Sequence, residues 1–156
     1  MDVDGTLTDG KIYMGAHGEI MKAFDVKDGY AITGILPEYG IVPAVLTARS
    51  SDIVRERCRE LHILEIHQGC LDKQGKLYEL ADKYGLPAGP DGTIHGMAYI
   101  GDDMIDIPAM KISEASGCPL DAAEEVKAVS DYVCRNKGGK GAVREFVQWL
   151  VKAQQI

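Results

Sequence analysis

Met97-Ala98-Tyr99-Ile100-Gly101-Asp102-Asp103-Met104-Ile105-Asp106 is a short apolar run that ends on glycine and acid. The run reads as a strand over 97–100, and the residues beyond Asp103 predict a short helix over 104–110. Units of the same kind recur on both sides. Val42 to Leu46 is an apolar run ending at Thr47; a helix over 52–61 follows, with Ile53, Val54, Cys58 and Leu61 on one face and Ser50 or Ser51 as its cap. Leu64 to Ile66 reads as a short strand. Lys73 to Tyr84 reads as a helix with Leu77, Leu80, Ala81 and Tyr84 aligned, stopped by Gly85. Farther on come a helix over 122–129, a strand at Tyr132-Val133-Cys134, and a last helix over 142–151 with Val143, Phe146, Val147, Leu150 and Val151 inward. This alternation implies an α/β fold, a doubly wound parallel sheet with helices on both faces.

One segment breaks the alternation. Lys11 to Met14 and Glu19 to Phe24 flank Gly15-Ala16-His17-Gly18, the pattern of a β-hairpin, giving a projecting flap over about 10–25. A helix-like stretch over 29–39 follows, with Pro37 near its end, and a Pro/Gly-rich loop spans 85–96. The 156 residues fit one domain, and no repeat or interdomain linker interrupts them.

Composition excludes more than it suggests. The formal net charge of −7 argues against a nucleic-acid partner, which calls for a basic face. No apolar run approaches the roughly 18 residues of a membrane span. The acidic, glycine-containing beginning does not resemble a secretory leader. Cys58, Cys70, Cys118 and Cys134 form no C-x-x-C pair, so they read as reduced thiols of a cytoplasmic protein rather than metal ligands. His17, His62, His67 and His95 show no metal spacing.

The carboxylates carry the chemistry. Asp2-Val3-Asp4-Gly5-Thr6 places two acids two residues apart, on one side of an extended backbone, before a glycine turn. In a parallel sheet the carboxyl ends of the strands share one crevice, so Asp2, Thr47, Lys73 and Asp102 are expected to converge there. Packing Asp2, Asp4, Asp102, Asp103 and Asp106 together raises each acid's pKa, and a hard divalent cation such as Mg²⁺ removes the conflict. Thr47 and Lys73 add a hydroxyl and a positive charge suited to phosphate. The set describes phosphoryl transfer to an aspartate.

The ordered motifs D-x-D-G-T at Asp2–Thr6, Thr47 at a strand end, Lys73, and G-D-D-x-x-D at Gly101–Asp106 resemble the haloacid dehalogenase (HAD) superfamily of phosphohydrolases. The resemblance implies Asp2 as nucleophile and Asp4 as the acid that protonates the leaving alcohol and then activates water. It implies Mg²⁺ held by Asp2, the Asp4 backbone carbonyl and Asp102, with Asp103 and Asp106 orienting waters and Lys73. Thr47 and Lys73 hold the phosphoryl group. The hairpin directly after the first motif, together with Gln68-Gly69, Asp72-Lys73 and Gly138-Gly139-Lys140-Gly141, is similar to the small branch without a cap domain. That branch contains 3-deoxy-D-manno-octulosonate 8-phosphate (KDO 8-phosphate) phosphatases and relatives acting on nine-carbon sialic-type sugar acids. It implies a homotetramer in which neighbouring hairpins close the sites. Thr47-Ala48-Arg49 resembles the KDO 8-phosphate enzymes, and a cation at Arg49 suits a sugar carboxylate. Arg57 is expected to reach a neighbouring subunit's site, and the loop over 138–141 to close over substrate. Family members carry an apolar strand before the nucleophile, and here only Met1 precedes Asp2, so that strand is expected to be missing. Two other classes stand beside the enzyme: a non-catalytic oligomerisation module of the same fold, which the missing strand favours, and a phospho-aspartate receiver, which the position of Lys73 before the second acidic cluster disfavours.

Overall fold

The structure, a computed structural model, describes residues 1–153. β1 (Tyr13–Gly15) and β2 (Gly18–Met21) pair antiparallel as the hairpin. Then come α1 (Val26–Tyr30), a π turn (Ala31–Ile35) and α2 (Leu36–Glu38). Strands and helices alternate thereafter. They are β3 (Ala44–Thr47), α3 (Asp52–Glu60), β4 (Glu65–Gln68), α4 (Lys73–Tyr84) and β5 (Ile94–Ile100). A 3-10 turn (Met104–Asp106) runs into α5 (Ile107–Ile112), followed by β6 (Ser113–Cys118), α6 (Glu124–Lys127), β7 (Tyr132–Val133) and α7 (Ala142–Ala153).

Among the described residues the strand pairings outside the hairpin are parallel, β3 with β4, and β5 with β6 with β7, and one isolated antiparallel bridge joins Ala88 to Ile94. Met1 and Asp2 lie in the seam between these two groups. The Met1 nitrogen donates to the Ala44 carbonyl at 2.9 Å, and the Leu46 N–H donates to the Met1 carbonyl at 3.0 Å. On the other side the Asp2 N–H donates to the Ile100 carbonyl at 3.0 Å. Residue 1 thus bonds the two residues flanking its opposite number, the parallel pattern. The nucleophile candidate leaves the seam between the ends of β3 and β5.

Side-chain alternation along the central strands builds two cores. Val45 and Ile100 face Val3, Ile32, Val54 and Phe146. Leu46 and Tyr99 face Leu77, Leu80, Met110 and Val126 on the other side. A sheet covered on both faces needs strands that are apolar on both faces, and these are.

The structure departs from the periodicity where polar or special residues intervene. β3 starts at Ala44 rather than Val42, because Pro43 has no N–H for the ladder. β4 starts at Glu65, leaving Leu64 exposed. The stretch over 29–39 is not one regular helix; it widens into the π turn one turn ahead of Pro37, which cannot donate to the preceding turn. The helix expected over 122–129 is a single turn, Glu124–Lys127. β6 has no counterpart among the expected strands, since Ser-Glu-Ala-Ser-Gly-Cys shows no apolar alternation. Its small residues serve packing: a Cβ on Gly117 would lie 2.4 Å from Phe146 Cδ2 of α7. Ser116, buried, donates from both N–H and hydroxyl to Asp131, at 2.8 and 2.7 Å.

Candidate active site

The loop after the seam is a tight turn. The N–H groups of Thr6 and Thr8 both donate to the Val3 carbonyl, at 3.2 and 3.0 Å. Gly5 has φ +101°, and a Cβ there would lie 2.0 Å from Asp102 Oδ2. Glycine is therefore required twice, for its left-handed backbone and for the space that Asp102 fills.

Three chain segments converge beside this turn. Lys73, the first residue of α4, is buried with its ammonium 2.7 Å from Asp2 Oδ1 and 2.6 Å from Asp106 Oδ1. Asp72 caps α4 by accepting the Gly75 N–H at 2.8 Å, which sets where the helix begins and hence where Lys73 points. Asp106, fully buried, is satisfied on both oxygens. Oδ1 also accepts the Tyr99 hydroxyl at 2.7 Å, and Oδ2 accepts the N–H groups of Asp102 and Asp103 at 3.1 and 3.2 Å. Asp102 accepts the Thr6 hydroxyl at 2.9 Å.

Asp2, Asp102 and Asp106 each bring a carboxylate oxygen within 4.8 Å of the others. Burial, followed by the charge of Asp106, pushes the Asp2 carboxyl up. Burial and then the charge of Asp2 push Asp102 up to about 8. Burial pulls the Lys73 ammonium down, but the charges of Asp2 and Asp106 outweigh it and its net shift is upward. One ammonium thus serves two buried acids, Asp2 and Asp106, beside a third, Asp102, that is half-buried. Asp106 is already saturated by donors, so the unrelieved conflict lies between Asp2 and Asp102. A divalent cation between hard oxygen donors resolves that conflict, so this donor set fits Mg²⁺.

Asp4 does not join this cluster. Its carboxylate turns toward the hairpin, where Oδ1 accepts from the Lys22 ammonium and Oδ2 lies 3.7 Å from Arg49 Nε. Glu19 of β2 completes the group: it accepts from Lys22 at 2.9 Å, from Arg49 Nη2 at 3.3 Å and from the Ser51 hydroxyl at 2.6 Å. Thr47 is buried at the end of β3, where its carbonyl accepts the Cys70 N–H at 2.9 Å.

Three expected participants sit elsewhere in the chain. Asp103 is exposed and accepts the Met104 N–H at 2.7 Å; it caps the 3-10 turn and has no contact with Lys73. Arg57 lies at the base of the hairpin, paired with Glu60 at 2.7 Å and with its guanidinium 5.5 Å from the centre of the Phe24 ring. The glycine loop over 138–141 is packed down rather than poised above the cleft. The Gly139 N–H donates to the Thr6 carbonyl at 3.1 Å, and a Cβ on Gly138 would fall 1.8 Å from the Gly5 carbonyl oxygen. The residues absent from the motif reading are Tyr99, Lys22 and Glu19. Tyr99 carries a signal, as a hydroxyl in the apolar run ahead of the second acidic cluster. Lys22 and Glu19 read as ordinary hairpin charges. An apolar cavity of about 800 Å³ toward the beginnings of β3 and β5 includes none of the site carboxylates.

No protein-family model matches the chain. Among curated proteins, it is 42% identical over 154 residues to the 3-deoxy-D-manno-octulosonate 8-phosphate phosphatase KdsC of Escherichia coli K12, covering 99% of this chain and 78% of that one. It is 39% identical over 153 residues to KdsC of Haemophilus influenzae, covering 98% and 81%. Among solved structures, the phosphatase of that name from Moraxella catarrhalis, in complex with magnesium, phosphate and KDO, superposes with a TM-score of 0.90 at 40% identity, covering 99% and 85%. The cobalt-bound Haemophilus influenzae phosphatase also superposes with a TM-score of 0.90, at 39% identity, covering 99% and 86%.

Proposed function

The chain belongs to the KDO 8-phosphate phosphatase family of HAD-type hydrolases, and on that premise we propose that it hydrolyses KDO 8-phosphate to KDO and phosphate through an aspartyl-phosphate on Asp2. It is a Mg²⁺-dependent phosphoric monoester hydrolase. The observation that carries the mechanism is the buried Lys73 ammonium held between Asp2 and Asp106 while Asp102 faces Asp2.

An Asp2 carboxylate oxygen attacks phosphorus, the bond to the sugar oxygen breaks, and Asp4 supplies the proton to the leaving alcohol. Asp4 then takes a proton from the water that attacks the aspartyl-phosphate, releasing phosphate and regenerating Asp2. Lys73 and Thr47 hold the transferring group, and Asp106 holds Lys73. Asp2, the Asp4 backbone carbonyl and Asp102 would hold Mg²⁺, which offsets the charge of the phosphoryl oxygens when bound. Arg49, 44% exposed, would offer its guanidinium to the sugar carboxylate.

The chain works as one domain over 1–156 with the hairpin as flap, in a cytoplasmic homotetramer. Met14, Ile20, Met21 and Val26 are exposed on and just after the hairpin, an apolar surface that supports assembly. Arg57 reaches a neighbouring site only through that assembly. All four cysteines are free, in keeping with a reducing compartment, and among the described residues no helix is long and apolar enough to cross a membrane.

The test is phosphate release from KDO 8-phosphate with Mg²⁺ and with a chelator, beside a nine-carbon sugar-acid 9-phosphate. Metal-dependent release that favours KDO 8-phosphate is expected. Preference for the nine-carbon ester overturns the substrate, and release from neither, with metal present, overturns the enzyme.

A further inference from the structure

The site acids are not all held by the same part of the molecule. Asp2 is held by Lys73, Asp102 by Thr6, and Asp106 by Lys73, Tyr99 and two backbone N–H groups, all from the doubly wound core. Asp4 is held from outside it. Its close partner is Lys22, just past the end of β2, and its second cation, Arg49, is farther away and half exposed.

Lys22 is unusual for a hairpin lysine. Its side chain is 1% exposed, so its ammonium has given up water and depends on its carboxylates. Two are supplied: Asp4 from the catalytic turn and Glu19 from its own hairpin. Glu19 is anchored in turn by Ser51 and Arg49, so it keeps Lys22 paired and in place whichever way the Asp4 carboxylate faces. Two cations and two carboxylates leave the group neutral, which lets the Lys22 ammonium stay buried although Arg49 is partly exposed. The hairpin therefore brings a fixed, buried donor to the one site carboxylate that the core reaches only through Arg49, 3.7 Å away and partly exposed.

We propose that Lys22 is a positioning residue for Asp4, and that Glu19 and Lys22 make the hairpin part of each chain's own proton-transfer apparatus. The inference rests on the role of Asp4 given above. An acid that must reach the leaving oxygen works only in a narrow range of positions, and general acid catalysis is worth about 10²- to 10⁴-fold. Losing the brace forfeits part of that factor. In the first step the loss falls on leaving groups that need a proton, such as the sugar alcohol, and spares those that do not, such as a nitrophenolate; the water attack, which also uses Asp4, follows departure of the alcohol and does not enter kcat/KM.

The experiment compares Lys22→Met, a neutral side chain of similar length, with the unaltered chain on KDO 8-phosphate and on p-nitrophenyl phosphate. With Mg²⁺ present, kcat/KM on KDO 8-phosphate is expected to fall about 10- to 100-fold, while kcat/KM on the aryl ester changes less than about threefold. Lys22→Arg, which keeps the donor, is expected to recover most of the loss. Equal losses of kcat/KM on both esters, or no loss, overturns the proposal, because a brace for the acid predicts neither. If Lys22→Met does not fold by circular dichroism, Lys22→Gln is read by the same criteria. If the unaltered chain hydrolyses neither ester, the reading of the site as a phosphatase fails; if it hydrolyses both and the variant keeps their ratio, only the role of Lys22 fails.

Discussion

Replacing Lys73 by methionine removes the side-chain cation that two buried acids, Asp2 and Asp106, share, and the structure sets the size of the effect. The ammonium lies 2.7 Å from Asp2 and 2.6 Å from Asp106, and its side chain is 1% exposed. Stripping one partner from a buried ion pair costs about 3–5 kcal/mol, because the remaining charge is stranded. The stranded acid escapes by taking up a proton, and that escape caps the cost. From an ordinary pKa of 3.8, protonating one carboxyl costs about 5 kcal/mol at pH 7.5 and about 1.6 kcal/mol at pH 5. The sign follows. In the variant the folded-state acids have raised pKa values, so the folded state binds more protons and gains stability as pH falls. Lys73 itself, shifted upward from 10.5, stays charged throughout this range and contributes nothing to the slope. Lys73→Met should therefore lose about 3–5 kcal/mol at pH 7.5, a Tm lower by about 6–20 °C for a chain of this size, and only about 1–2 kcal/mol at pH 5. Urea unfolding at the two pH values, in chelator, measures both. A deficit of the same size at both, or below about 1 kcal/mol at pH 7.5, refutes the placement of Lys73 as the shared side-chain counterion of Asp2 and Asp106.

Asp2→Asn should abolish turnover while the circular dichroism spectrum stays that of the unaltered chain; activity near the original level would remove Asp2 as nucleophile. Arg49→Ala should cost more kcat/KM on KDO 8-phosphate than on an aryl phosphate, and equal losses would count against recognition of the sugar carboxylate. Asp28 is buried under α7, where it accepts the Arg144 N–H at 2.7 Å and the Gly141 N–H at 3.3 Å, and burial pushes its pKa up to about 6. Its ionised form is thus disfavoured in the folded state: the penalty is absent below pH 4, grows between pH 4 and 6, and reaches about 3 kcal/mol above that. The stability of Asp28→Asn relative to the unaltered chain should rise by up to that amount, about 3 kcal/mol, between pH 4 and 7, and a difference independent of pH would show that Asp28 does not titrate there.

Much of the architecture is legible in local pattern. The helix over 73–84 needs only its apolar spacing, Asp72 as cap and Gly85 as stop, and the structure has those same bounds and a left-handed Gly85. β6 was illegible because its residues are chosen for what lies on them, Phe146 on Gly117 and Asp131 on Ser116, and neither neighbour is close in sequence. α6 was overestimated because apolar spacing persists past the point where the chain stops being helical. Among the site residues, the acids, Thr47 and Lys73 were named from motif order. The direction each side chain takes was not.

The sequence alone was enough to determine the strand and helix alternation, the order of the motifs and the class of chemistry, because those depend on residue types and on spacings of a few positions. Only the tertiary structure decided the partners. Asp2 meets Lys73 across 71 positions, and Thr6 meets Asp102 across 96. It also turned Asp4 away from the other acids toward a hairpin lysine 18 positions on, and made Asp103 a surface cap while burying Asp106. Such choices follow from which charges lose their water together, and that is settled when the elements pack.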